Sequence, residues 1–211
     1  NFGVPASNFG NTPDPSELYI FPLPVPGPLA NDRLAGAVPV PNTFSHHLMA
    51  QEPIRTKGGS VRIVDSKNFP ASVTIAAALV EINPGAMREL HWHPNTDEWQ
   101  YYIEGKGRMG VFASSGDART FDYQAGDVGF VPFAMGHYIE NTGDTPLRFL
   151  EMFKSSYYAD VSLSRWMALT PPALVQGTLK LAPSVMSALR RGPLVTSPAE
   201  RALTALAKEE R

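Results

Sequence analysis

Turn-forming clusters cut the middle of the chain into short pieces. They are "NPG" at 83–85, "EGKG" at 104–107, "SSGD" at 114–117, "QAGD" at 124–127 and "NTGDTP" at 141–146. Glycine, asparagine and aspartate accept the backbone angles a tight turn demands, and proline ends regular hydrogen bonding. The runs between them are short, apolar and rich in β-branched or aromatic residues: "SVRIVDS", "GRMGVFAS", "VGFVPF", "HYIENT" and "PLRFLEMF". A parallel sheet would need long helical crossovers between such runs, and there is no room for them. The pattern predicts an all-β sandwich or barrel over residues 45–159. "ASVTIAAALVEI", residues 71–82, is a longer apolar run and is expected to be a strand buried on both faces.

The flanks read differently. Residues 1–44 hold nine of the twenty prolines, and "YIFPLPVPGPLA" can form neither a helix nor a central strand. It is too apolar to stay in water, so an extended arm lying on a protein surface is expected. Beyond residue 160 helix signals appear. Asp160 can cap "VSLSRWMAL", Thr170 can cap a turn opening with Pro171, and "SPAERALTALAKEE" places Ser197 at a cap, Pro198 at the first helical position and Glu200 at the third. A helical extension over 160–211 is the expectation. The 211 residues carry a net charge of −2, which gives no basic surface for nucleic acid or an anionic membrane. No run approaches a membrane span, and no signal-peptide pattern opens the chain, so a soluble protein of open compartment is expected. Cysteine is absent, which leaves neither disulfides nor thiolate ligands.

Two of the five histidines, His91 and His93, bracket Trp92. On a strand such a pair faces one side, with Trp92 facing away. Taken alone, a His–x–His pair is more often surface or packing than a ligand set. Glu98 lies at an odd offset, but "HPNTD" should break the strand, and a second strand starting near Asp97 would return Glu98 inward with Gln100 and Tyr102. With the distant His137, these residues offer three imidazoles and a carboxylate. That set suits manganese, iron, nickel, copper or zinc, and an octahedral ion so held keeps two positions open for water or substrate. In "PLRFLEMFK" the alternation puts Leu147, Phe149, Glu151 and Phe153 on one face. A carboxylate on an apolar face should have a raised pKa, which makes Glu151 a general acid or base candidate; a carboxylate satisfied by backbone or arginine is the plainer alternative. Arg88 could hold a carboxylate through two parallel hydrogen bonds, although strand parity points Glu89, not Arg88, toward the ligands' face. A bulge or the long reach of arginine could reconcile the two, and a surface salt bridge is the plainer alternative for Arg88. Trp92, Trp99, Tyr101 and Tyr102 are expected to pack, and the adjacent His46 and His47 to lie at a surface or interface.

"GAMRELHWHPNTDEWQYYIEG", residues 85–105, matches Gly–x5–His–x–His–x4–Glu–x6–Gly, and "GDVGFVPFAMGHYIEN", residues 126–141, matches Gly–x5–Pro–x–Gly–x2–His–x3–Asn with Ala134 in place of glycine. These resemble the two cupin motifs. "VRIVDSKNFP", "DEWQYYIEGKGRM" and "GFVPFAMGHYIENTGDTPLRFLEMFKS" resemble, more narrowly, the C-terminal half of oxalate decarboxylase-like bicupins over about residues 45–180. The resemblance implies a double-stranded β-helix, or jelly-roll barrel, with residues 1–44 as the connection from a first cupin. It implies metal ligands His91, His93, Glu98 and His137, and Arg88 and Glu151 as catalytic residues. It implies Mn(2+) with dioxygen as co-catalyst, oxalate as substrate, formate and carbon dioxide as products, and trimers or hexamers or association with a first cupin half. An oxalate oxidase, or a metal-binding cupin half with a mainly structural role, is the alternative.

Overall fold

The computed structural model describes residues 24–32 and 35–189, and the backbone of 197–198. The chain divides into two units between Pro41 and Asn42. In the first, Leu29–Asp32 form a 3-10 turn, and Val25, Val38 and Val40 are exposed. The second unit carries the strands. They are β1 (Ile54–Thr56), β2 (Gly59–Val64), β3 (Ala76–Ile82), β4 (Ala86–Trp92), β5 (Glu98–Glu104), β6 (Lys106–Phe112), β7 (Ala118–Gln124), β8 (Val128–Val131), β9 (Gly136–Asn141), β10 (Leu147–Phe153) and β11 (Val161–Ser162).

Two antiparallel sheets result, one in the order β1-β2-β3-β10-β5-β8, the other in the order β11-β4-β9-β6-β7. Strands distant in sequence pair in both, β3 with β10 and β4 with β9. This is the all-β architecture expected from the turn clusters, in the jelly-roll form that the cupin resemblance implies. Those turns are built as the sequence suggests. Gly105 has φ +83°, and a Cβ there would stand 2.6 Å from the Pro146 carbonyl oxygen, so only glycine fits. Ala134 occupies the second motif's glycine position at φ 59°, a left-handed conformation that costs a residue with a Cβ about 1 kcal/mol.

Alternation fills the interior. β10 buries Leu147, Phe149, Glu151 and Phe153, β9 buries His137, Ile139 and Asn141, and β5 buries Glu98, Gln100 and Tyr102. Ile82, Leu147, Phe149, Tyr102, Met109 and Ile139 form the centre of the apolar core, all fully buried. The run at 71–82 corrects an expectation. Its strand is only Ala76–Ile82, with alternate residues half-buried, and Val73 and Ile75 are exposed. Val73, Thr74 and Ile75 precede the strand, where β10 and β2 offer no ladder partner.

Among the described residues three short helices follow: α1 (Leu163–Leu169), α2 (Pro172–Leu179) and α3 (Pro183–Ala188). Ser162, not Asp160, caps α1, its side chain accepting from the Arg165 amide. Asp160 is drawn elsewhere by the Arg88 charge. Pro171, not Thr170, stands at the cap of α2, and Thr170 bonds back to Trp166. Ser197–Pro198, named β12, pairs with Met87 and Ala86 of β4 instead of opening a helix. An edge strand tolerates proline because no neighbour needs its missing donor. The remainder of that expected helix, with Glu200, lies outside the described residues. Among the described residues no helix is long and apolar enough to cross a membrane.

Candidate metal centre

His91 sits in β4, His93 one residue beyond its end, Glu98 at the first position of β5 and His137 at the second of β9. Register places His91 directly opposite His137. The strand is broken at 93–97, as proline and asparagine predicted, and Asn95 ties the break down by donating to Ser155 Oγ and the Tyr157 carbonyl. Glu98 re-enters pointing inward. The four side chains are all buried, and one ligand atom from each lies within 4.8 Å of the others.

Their hydrogen bonds decide the chemistry. Nδ1 of His91 donates to the Glu89 carbonyl (2.6 Å), Nδ1 of His93 to the Ala159 carbonyl (2.7 Å) and Nδ1 of His137 to the Met135 carbonyl (3.1 Å). A carbonyl can only accept, so each Nδ1 carries the ring proton and each Nε2 presents a lone pair. All three Nε2 atoms and Glu98 Oε2 are buried without a hydrogen-bond donor among the described residues. Glu98 Oε2 nevertheless stands 3.0 Å from His93 Nε2 and 2.9 Å from His137 Nε2. Four acceptors turned on one another are repulsive unless a cation lies among them. Ligand atoms about 2.0–2.2 Å from an ion and at right angles stand about 3 Å apart, which is the spacing seen. The residues therefore fit a divalent ion. Burial first, then the charge of Arg88, holds His91 well below the usual imidazole range and keeps its lone pair free.

The sequence did not reveal how Glu98 is aimed. Tyr102, a phenol kept protonated by burial, donates to Gln100 Oε1 (2.8 Å), and Gln100 Nε2 donates to Glu98 Oε1 (2.6 Å). That relay fixes one carboxylate oxygen and leaves Oε2 for the ion. The i, i+2 alternation on β5 was the available signal.

Arg88 is fully buried, inside the barrel. Its pairing explains why parity failed: Arg88 lies opposite Ile139 and His91 opposite His137, so three steps on β4 match two on β9. The extra residue is a bulge, and it brings residues 88 and 91 to the same face. Glu89, which parity favoured, is buried beside Ser164 of α1, whose hydroxyl donates to it. Nη2 of Arg88 donates to Asp160 Oδ2 (2.8 Å) and Tyr158 OH (3.1 Å). Burial opposes its charge, but Tyr158, Asp160 and Glu151 more than offset that, so it remains cationic. Glu151, opposite Gln100 and Ala78, is fully buried with neither oxygen partnered among the described residues. Burial, then the charge of Glu98, pushes its carboxyl well above the usual range, against the pull of Arg88.

The remaining expectations concern bystanders. Trp92 turns away and meets Trp166 edge-on, ring centroids 6.0 Å apart. Tyr102 stacks between Tyr123 and Phe149, and Trp99 and Tyr101 face outward. His46 bonds to Gln51 and His47 is exposed.

Residues 46–187 match the family model described as Cupin. The chain is 60% identical over 182 residues to oxalate decarboxylase OxdC of Bacillus subtilis (strain 168), covering 86% of this chain and 47% of that protein. It is 41% identical over 194 residues to a probable oxalate decarboxylase of Arthroderma benhamiae, covering 90% of this chain and 48% of that one. A solved structure from work on the Mn(II) centres of Bacillus subtilis oxalate decarboxylase superposes with a TM-score of 0.85 at 55% identity, covering 93% of this chain and 52% of that one. The chain thus spans about half the length of the curated relatives it matches. With both motifs converging on one buried donor set inside a jelly-roll barrel, the chain belongs to the cupin family.

Proposed function

We propose that this chain is one cupin half, the C-terminal one, of a manganese-dependent oxalate decarboxylase, converting oxalate to formate and carbon dioxide. His91, His93, Glu98 and His137 would hold Mn(2+), consistent with a donor set of imidazole and carboxylate and with the Mn(II) centres of the similar Bacillus protein. Residues 45–159 form the catalytic barrel in this reading, residues 1–44 the connection from a first cupin, and 160–211 a C-terminal extension that carries the three described helices and the Ser197–Pro198 strand. The half-length match to the relatives supports association with a first half, and assembly into trimers or hexamers rests on the family resemblance alone.

The observation that carries the reading is Glu151. A fully buried carboxyl with both oxygens unpartnered, on the strand next to the ligand-bearing β5, is a poor structural element and a good proton carrier. When bound, the ion supplies positive charge and, with dioxygen, a one-electron oxidising centre. Arg88 orients the substrate carboxylate and steadies its charge. Glu151 takes the remaining acidic proton of hydrogen oxalate. The C–C bond then breaks and carbon dioxide leaves. Glu151 returns the proton to the carbon left behind, giving formate, so the overall change is redox-neutral and balanced. The closed apolar floor beneath, built from Phe149, Leu147 and Ile82, excludes water on that side.

The test is to load the protein with Mn(2+), supply oxalate and oxygen, and quantify formate, carbon dioxide and hydrogen peroxide for wild type and Glu151→Gln. Formate is expected from the wild type, and a loss of at least about 100-fold in the variant. Peroxide in place of formate would make the chain an oxidase, and turnover unchanged by metal removal would end the proposal.

A further inference from the structure

Arg88 arrives at the site with one of its three nitrogens already committed. Both hydrogens of Nη2 are engaged, one by Asp160 Oδ2 at 2.8 Å and one by Tyr158 OH at 3.1 Å, while Nε and Nη1 have no partner among the described residues. A guanidinium grips a carboxylate with two parallel N–H bonds along either of two edges, Nε with Nη2 or Nη1 with Nη2. Both edges need Nη2. With Nη2 taken, neither fork is open, and a ligand meets Nη1 or Nε singly. The two-pronged hold that the residue type suggests is blocked by a carboxylate belonging to the chain itself.

Asp160 and Tyr158 belong to one strap, residues 154–160, between β10 and β11. The strap is anchored independently of Arg88. The Ser66 amide donates to the Ser156 carbonyl, the Tyr158 amide to Asp65 Oδ2, Asn95 to Ser155 and Tyr157, and the His93 ring to the Ala159 carbonyl. Losing the Asp160 side chain therefore leaves the strap held. Asp160 is also the outward member of the pair, its side chain 27% exposed against 0% for Arg88.

We infer that Asp160, seconded by Tyr158, is a positioning residue that limits the grip of Arg88 on a small carboxylate ligand by occupying the nitrogen both forks require. The inference rests on the reading that such a ligand binds here. A full two-pronged hold would tighten substrate and transition state alike, and would add nothing to the chemical step while slowing release of an anionic product. One hydrogen bond and a partly neutralised charge keep the orientation and relax the hold.

The test compares Asp160→Ala, Asp160→Asn and wild type, all manganese-loaded, by calorimetric titration with oxalate and with formate, alongside kcat and KM. Asp160→Ala is expected to bind oxalate about tenfold or more tightly, the gain of one charge-assisted hydrogen bond. Formate should also bind more tightly and kcat should fall with KM. Asp160→Asn, which preserves shape if the alanine variant fails to fold, is expected to shift the same way by less. A merely structural Asp160 gives the opposite sign, weaker binding from a loosened Arg88. An unchanged or weakened affinity in both variants overturns the inference. If the wild type makes formate and the variants bind no tighter, the inference falls and the decarboxylase reading stands. If none of the three binds oxalate, both fall.

Discussion

The two ends of the barrel interior are lined by the same strands and obey opposite rules. At one end Ile82, Leu147, Tyr102 and Ile139 pack without exposure, and the buried polar side chain there is fully used. Asn141 Nδ2 donates to the Ile82 and Thr145 carbonyls, and its Oδ1 accepts from the Gly143 amide. At the other end, a few residues along the same β5, β9 and β10 and on β4 beside them, three Nε2 atoms, Glu98 Oε2, two nitrogens of Arg88 and both oxygens of Glu151 are buried with no hydrogen-bond partner among the described residues. A buried polar group without a partner costs about 1–3 kcal/mol. The chain spends stability at one end and stores it at the other, which is how a working site is usually told from a scaffold.

Mutations should separate the ends cleanly. The largest effect is expected from His91→Ala, which should abolish stoichiometric manganese, read by elemental analysis, and turnover with it. The metal-free barrel should keep its thermal midpoint within a few degrees, because the change removes an unsatisfied Nε2 along with the one hydrogen bond from Nδ1 to the Glu89 carbonyl. Manganese should raise the wild-type midpoint and leave this variant's unmoved. A His91→Ala protein that fails to fold without metal would erase the distinction. At the apolar end, Phe149→Ala should cost about 3–5 kcal/mol in denaturant unfolding, with the manganese content of the folded fraction unchanged. Loss of metal there at unchanged stability would show the two ends to be one unit. Replacing the satisfied amide, Asn141→Leu, should cost about 1–3 kcal/mol by stranding the Ile82 and Thr145 carbonyls and the Gly143 amide, again without loss of metal. The smallest change is Ala134→Gly. It should stabilise by about 1 kcal/mol through relief of the left-handed strain at φ 59°, less a few tenths for the freer unfolded chain. Destabilisation by thermal melt would mean that the Ala134 methyl packs to advantage.

The apolar end was almost entirely legible in the sequence, because strand alternation and glycine-marked turns suffice to place Leu147, Phe149 and Tyr102. The ligand end was legible where local rules held. "HPNTD" broke the strand and returned Glu98 inward, and the β10 alternation put Glu151 inside. It was opaque where distant residues decide. Asp160 looked like a helix cap until Arg88, 72 residues earlier, claimed it, and Ser162 took the cap instead. The bulge before His91 was one of two ways to reconcile Arg88 with strand parity, and the choice lay beyond the sequence because an extra residue in a strand is visible only against its partner. The Tyr102–Gln100–Glu98 relay follows from side-chain lengths meeting inside a barrel whose width the sequence does not state. The grip of Asp160 and Tyr158 on Nη2 was hidden for the same reason.

That bulge has a consequence for how this strand tolerates change in length. Deleting Leu90, a half-exposed side chain of no assigned role, would leave Arg88 two residues before His91, and plain alternation without the bulge would keep both on the inner face. The position is thus the spare residue of the segment, and its loss preserves the phase of the ligands. Excision there should be forgiven, whereas excision on a regular stretch of the same strand should not.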